Sequence, residues 1–80
     1  MNITTKNQIR KQFAAALRNT RIAAGITQEE LAFHLEVDHT IISRYECAKS
    51  NPTLIRLYEL AEVLNCPVID LILPKKTESE

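Results

Sequence analysis

The sequence predicts an all-α fold, a compact bundle of five helices in one domain. Apolar residues recur every three or four positions, which is the spacing of one helix face. Three candidate helices begin directly after a capping residue, Thr27, Asp38 or Thr53. The 80 residues are 45% hydrophobic with one glycine and three prolines, which suits a compact helical domain. We expect one domain over residues 1–80, with a core at about 7–73 and flexible tails at 1–6 and 74–80.

The first helix is expected from about Asn7 to Gly25, a residue favoured just past a helix end. Its core face carries Phe13, Leu17, Thr20 and Ala24. Residues 1–25 hold five Lys or Arg residues and no acid, whereas residues 26–80 hold five such bases and ten acids. The zero net charge argues by itself against a nucleic-acid binder, but a neutral domain can still present one positive surface.

The second helix begins at a capping box, in which Thr27 caps the helix and Glu30 bonds back to it. Ile26 and Leu31 flank this cap as a hydrophobic staple. The apolar face is formed by Leu31, Ala32 and Leu35. Phe33 lies about 100° from Ala32 around the helix, so it is either exposed or packed under the N-terminal residues.

The third helix is separated from the second only by Glu36 and Val37, and Asp38 caps it. Its apolar face is formed by Ile41, Ile42 and Tyr45. Its opposite face carries His39, Thr40, Ser43, Arg44 and Cys47. One face therefore suits packing and the other suits contact with a partner. Residues 39–47 form a rod about 13 Å long, which fits a DNA major groove about 12 Å wide.

The fourth helix is expected from Leu54 to Leu64 with Asn65 as its end, and a short fifth helix from Pro67. The core residues expected from this part of the chain are Leu54, Leu57, Leu60, Ala61, Leu64, Val68, Leu71 and Ile72. Five further apolar residues have no evident use within the chain: Ile55, Tyr58, Val63, Ile69 and Leu73. Several exposed apolar side chains on neighbouring helices indicate an interface.

A set of residues at defined spacing runs through the second and third helices and the segments around them. The set comprises Gln28, Ala32, Val37, Ile42, Tyr45 and Glu46, with Arg21, Gly25, Asn51, Pro52, Thr53, Leu54, Leu57, Leu60, Ala61 and Leu64 outside the pair. It resembles the Xre, or Cro and phage-repressor-like, helix-turn-helix family over roughly Phe13 to Ile72. Glu36 and Ala48 depart from the family, which usually has glycine there. A left-handed backbone costs a non-glycine residue roughly 1 kcal/mol.

The resemblance implies a sequence-specific regulator of transcription that binds double-stranded DNA through its third helix. It places the base contacts at His39, Thr40, Ser43 and Arg44. Arg44 is the strongest candidate, because a guanidinium can donate to guanine O6 and N7 together. The alternative interpretation of Thr40 and Ser43 is that they lie on a solvated helix face and do not contact DNA.

Contacts to the DNA backbone are expected from Gln28, the main chain of Cys47, Lys49, Ser50 and Asn51. The alternative for the last three is an ordinary polar loop. In the family, an arginine matching Arg21 pairs with a glutamate matching Glu46, whereas two solvated surface charges are the alternative.

The family commonly dimerises through its last helices, so the resemblance also implies a homodimer on a roughly palindromic operator. The interface would use Ile55, Tyr58, Val63, Ile69 and Leu73. The competing function is a protein-interaction module, such as an antitoxin or a polymerase-binding partner. Zero net charge and the apolar C-terminal residues favour that module, whereas Gln28, Arg44 and Lys49 favour DNA.

Other classes of protein fit the sequence poorly. It has no credible nucleophile and base pair, no metal-ligand cluster and no glycine-rich phosphate loop, so we expect no enzyme, metal, cofactor or small-molecule ligand. Cys47 and Cys66 do not have the spacing of a zinc site or redox pair. We expect Cys66 to be a buried small residue and Cys47 to be exposed, with a redox-sensing thiol as the alternative for Cys47.

The sequence also predicts a location. No run of 18 apolar residues occurs, so we expect no membrane span. Residues 1–9 contain no apolar signal core, so we expect a cytoplasmic protein.

Overall fold

The computed structural model describes residues 5–73 of the chain. Within that range it contains five α-helices and no strand: α1 (Lys6–Ala23), α2 (Gln28–Leu35), α3 (His39–Glu46), α4 (Leu54–Leu64) and α5 (Ile69–Ile72). The predicted all-α five-helix bundle is therefore confirmed. Of the expected tails at 1–6 and 74–80, residues 1–4 and 74–80 lie outside the described residues, whereas Thr5 and Lys6 belong to the start of α1.

The starts of the helices follow the predicted capping residues. The Thr27 hydroxyl accepts from the Glu30 amide at 3.0 Å, and Glu30 accepts from the Thr27 amide at 2.8 Å, which confirms the capping box. Asp38 and Thr53 likewise cap α3 and α4. Two starts differ from the prediction. Thr5 caps α1, so this helix begins at Lys6, and α5 begins at Ile69 with no side-chain cap.

The first four helices end in the same way, with one residue in the left-handed conformation. These residues are Gly25 (φ 77°), Glu36 (φ 60°), Ala48 (φ 61°) and Asn65 (φ 55°). The amide that follows each one donates to a carbonyl near the helix end; for example, the Lys49 amide lies 2.9 Å from the Arg44 oxygen. The two positions that depart from the family therefore keep the left-handed backbone of glycine.

Replacing Ala48 with glycine is expected to raise the free energy of unfolding by about 0.5 kcal/mol. Glycine removes the steric cost of a left-handed residue, about 1 kcal/mol, and part of this gain is offset by the greater entropy of the unfolded chain. Chemical denaturation measures the change. Ala15→Gly, on the exposed side of α1, is the matched control and should lower stability by about 1 kcal/mol. The same sign for both variants would contradict the interpretation.

The core lies between the helices and holds the inner face of α3. Its buried residues are Phe13, Ala14, Leu17, Leu31, Ala32, Ile42, Tyr45, Leu60, Ala61, Leu64 and Leu71. α3 packs against α1 and α2, α4 packs against α2, and α5 packs against α1. The rings of Phe13 and Tyr45 meet edge to face with centroids 5.9 Å apart, which joins α1 to α3. The opposite face of α3 is thereby turned to the surface.

Four predictions about the core were wrong. Ala24, Leu54 and Ile72 are exposed, although helical spacing placed them on inward faces. Each lies at or just beyond the end of a helix. There the inward face of the helix extends beyond the residues of the core, so its side chains stay exposed. Val63 was expected to have no use within the chain, but it is partly buried and packs against the core.

Phe33 is exposed, with 78% of its surface accessible, which was one of the two predicted alternatives.

No helix among residues 5–73 is long and apolar enough to cross a membrane.

Candidate nucleic-acid interface

The outer face of α3 is the centre of the candidate site. Ile42 and Tyr45 are buried beneath it, so the helix cannot turn about its axis without exposing them. His39, Thr40 and Arg44 are exposed, and Ser43 is half-buried. The structure therefore brings the four predicted base-contacting residues to one short helix, with Ser43 nearest to the protein.

The start of α3 carries an acidic cap. An Asp38 carboxylate oxygen accepts from the Thr40 amide at 3.1 Å. Hydrogen bonds from Thr40, its backbone amide above all, lower the pKa of Asp38, since they stabilise the ionised carboxylate. His39 Nδ1 lies 3.7 Å from the same carboxylate. Sequence reasoning identified the cap but missed this neighbour of the His39 ring.

Arg44 differs from His39 in having its donors free. Its side chain is exposed and forms no ion pair or side-chain hydrogen bond within residues 5–73. All five N–H donors of a free guanidinium can therefore meet a partner.

The C-terminal end of α3 is tied to α1 and α2 by a network centred on Glu46. Arg21 Nε donates to Glu46 at 2.6 Å and Arg21 Nη2 donates at 3.0 Å, a bidentate pair. Arg21 Nη1 also donates to the Ile26 carbonyl at 2.8 Å. The side chains of Arg21 and Glu46 are only 11% and 3% exposed. The pair expected from the resemblance is thus formed, and its hydrogen bond raises the pKa of Arg21.

Gln28 joins the same network, which sequence reasoning did not anticipate. Its side-chain Nε2 donates to Glu46 at 3.1 Å. The amide group carries two N–H donors, so one remains for a phosphate. The main-chain N–H of Gln28 is a further donor, since the first N–H groups of a helix have no partner within the helix.

The loop after α3 contains the remaining predicted backbone contacts. Lys49 and Asn51 are exposed, and Ser50 is half-buried. Cys47 differs, because its amide already donates to the Ser43 carbonyl at 2.9 Å. The geometry therefore gives little support to a phosphate contact through the Cys47 main chain.

The two cysteines have different environments. Cys47 is exposed, whereas Cys66 is half-buried and packs against the core. Burial raises the pKa of the Cys66 thiol, which favours the unreactive protonated form.

Four of the five apolar residues predicted at a dimer interface line two separate grooves, whereas Val63 packs against the core. Ile55 and Tyr58 line one beside α4, together with Cys66 and Val68. Ile69 and Leu73 line another, between α1 and α5. All four predicted residues that line the grooves are exposed. The sequence pattern does not distinguish the two grooves, since it contains no information on how α5 crosses α1.

Comparison with known proteins places this geometry in a family. The family model HTH_3, described as helix-turn-helix, matches residues 17–71. An uncharacterized HTH-type transcriptional regulator, y4dJ, from Sinorhizobium fredii is 33% identical over 66 residues, which cover 82% of this chain and 86% of that protein.

Two solved structures are similar along most of their length. The hypothetical transcription factor NHTF from Neisseria has a TM-score of 0.79 at 28% identity, covering 92% of this chain and 85% of that one. The restriction-modification controller protein C.AhdI from Aeromonas hydrophila has a TM-score of 0.74 at 30% identity, covering 79% and 96%. With the family model matching more than half of the chain, this protein belongs to the HTH_3, or Xre-like, family of helix-turn-helix DNA-binding regulators of transcription, which are not enzymes.

Proposed function

We propose that this protein binds duplex DNA sequence-specifically as a homodimer on a roughly palindromic operator, as a small repressor or controller. The observation that carries the proposal is the outer face of α3, where Arg44 is exposed and pairs with no acid among residues 5–73, on a helix whose inner face is buried. A helix held in this way presents its side chains in one orientation. Insertion into the major groove then brings the same residues to the same bases each time.

The residues of α3 have different roles in this proposal. Arg44 donates to guanine O6 and N7, and Thr40 contacts a thymine methyl group. His39 donates to a purine acceptor, and Ser43 contributes at the edge of the helix. Gln28 and the side chains of Lys49, Ser50 and Asn51 contact phosphates, which sets the register on DNA without reading the bases.

The homodimer is supported by exposed apolar side chains on α4, chiefly Ile55 and Tyr58. Ile69 and Leu73 add a second exposed apolar region, and Val63 contributes least because it packs on the core. Two identical α3 helices one DNA turn apart, roughly 34 Å, would require an inverted repeat in the operator. Similarity to a restriction-modification controller supports the controller type.

Selection from a random duplex library tests the proposal, with the wild type and Arg44→Ala run in parallel. The wild type is expected to enrich an inverted repeat. Arg44→Ala should lose about 1 to 3 kcal/mol of binding free energy in each half-site and relax the preference at one base position there. Sequencing of the selected duplexes and a binding titration measure the two effects.

Arg56→Ala is the matched control for charge, because it removes one arginine from α4. The Arg56 side chain lies 3.6 Å from Glu59 and not on the outer face of α3. It should leave the selected sequence unchanged. Enrichment of a single half-site would contradict the homodimer. No enrichment by the folded wild type would contradict DNA binding and favour the protein-interaction module, which the zero net charge and exposed Ile55 support.

A further inference from the structure

A groove runs between α1 and the end of α3. Lys11 and Arg18 lie on its α1 side, and Cys47 and Ala48 lie on its α3 side. Lys11 and Arg18 are seven residues apart, so they share one face of α1 and are about 10 Å apart along its axis. The residues that line the groove between them are Ala14 and Ala15. No bulky side chain of α1 therefore separates the two cations along the groove.

The two cations in this groove are not neutralised by neighbouring acids. Both side chains are exposed, and neither forms an ion pair within the described part of the chain. Glu46 also lines the groove, but its carboxylate already accepts from Arg21 at 2.6 Å and from Gln28 at 3.1 Å. Residues 1–25 contribute no acid. The groove is therefore a positive surface on a domain with zero net charge.

We propose that Lys11 and Arg18 contact DNA phosphates and extend the duplex-binding surface from α3 onto α1. The inference rests on the proposed function, in which α3 lies in the major groove. The sugar-phosphate backbones border that groove, so a positive stripe beside the C-terminal end of α3 lies close to one of them. A stripe about 10 Å long can meet several phosphates, because duplex DNA carries one charge per about 1.7 Å of its axis.

This surface gives a role to the basic residues 1–25, which α3 and its loop do not use. Arg44 and Lys49 are the basic residues of that region, and ten acids are present beyond residue 25. Phosphate contacts from α1 add affinity and orientation without sequence preference. Loss of these contacts should therefore change the salt dependence of binding and leave the recognised sequence as it was.

The experiment measures the affinity of the selected operator duplex between about 50 and about 200 mM salt. One phosphate contact contributes about 0.9 to the slope of log affinity against log salt concentration. Because both protomers of the homodimer carry each substitution, Arg18→Ala is expected to lower the magnitude of the slope by about 1.8, and the Lys11→Ala, Arg18→Ala double variant by about 3.6. Arg18→Lys should retain most of the slope, and all variants should select the same sequence.

Lys6→Ala is the matched control, since it removes one exposed positive charge from the same helix. Lys6 lies about 18 Å from Arg18 along α1, beyond the screening length of about 8 Å at physiological salt, and it does not line the groove. Its slope should equal that of the wild type. An unchanged slope in Arg18→Ala, or an equal change in Lys6→Ala, would overturn the inference. Failure of the wild type to bind any duplex would instead overturn the proposed function.

Discussion

Replacement of Glu46 by alanine is expected to lower the free energy of unfolding by about 3 kcal/mol, because it leaves a partly buried guanidinium without its partner. Arg21 is only 11% exposed and loses both of its hydrogen bonds to the carboxylate. Gln28 loses its acceptor in the same change. A domain of this size has a total stability of about 5 to 15 kcal/mol, so the loss is a large part of it. Urea denaturation measures the effect.

A second arginine–glutamate ion pair, on α4, provides the control. Arg56 and Glu59 lie 3.6 Å apart one helical turn from each other on α4, and Glu59 is about half exposed. Glu59→Ala should cost no more than about 1 kcal/mol, as for other solvent-exposed pairs. In a double-mutant cycle, Arg21→Ala combined with Glu46→Ala should cost less than the sum of the single variants. Additive losses, or equal losses at Glu46 and Glu59, would contradict this account.

Replacement of Ile42 by alanine is expected to lower the free energy of unfolding by about 3 to 4 kcal/mol. Ile42 is 0% exposed on the inner face of α3, and truncation loses both the transfer free energy and the packing around the new cavity. Because the same side chain holds α3 against the core, DNA binding should also weaken under conditions where the variant is still mostly folded. Thermal or chemical denaturation, followed by a binding titration, measures both effects.

Ile55→Ala is the matched control for Ile42→Ala. The same atoms are removed from α4, but Ile55 is 73% exposed, so the change in stability of the monomer should stay within about 0.5 kcal/mol. Comparable losses for both variants would mean that the inner face of α3 is not what stabilises the bundle. Ile42→Val, which removes one methyl group, should fall between them at about 1 kcal/mol.

Local chemistry explains why much of the fold could be predicted from the sequence. The cap bonds of Thr27, Asp38 and Thr53 join residues two or three positions apart, so sequence spacing contains all the information they need. The left-handed helix ends at Gly25 and Asn65 were predicted for the same reason. The inner and outer faces of α3 were also predicted correctly, because helical periodicity relates side chains within two turns.

The sequence did not predict features that depend on where distant helices end or cross. These features are the burial of a side chain at a helix end and contacts between helices. Leu54 and Ile72 have the right period for the core, but the core does not reach the ends of their helices. The side-chain hydrogen bond from Gln28 to Glu46, eighteen positions away, was not anticipated. Neither outcome follows from spacing, since both require the angles at which the helices cross.

The sequence by itself determined the class of fold, the helix-turn-helix unit and the outer face of α3, because caps, periodicity and residue type act over a few positions. Only the tertiary structure decided which distant groups meet. It placed Arg21 and Gln28 on one carboxylate, divided the exposed apolar residues between two grooves, and brought Arg18 beside Cys47. The physical reason is that such contacts depend on how whole helices pack, and many pairs of faces satisfy the same hydrophobic pattern.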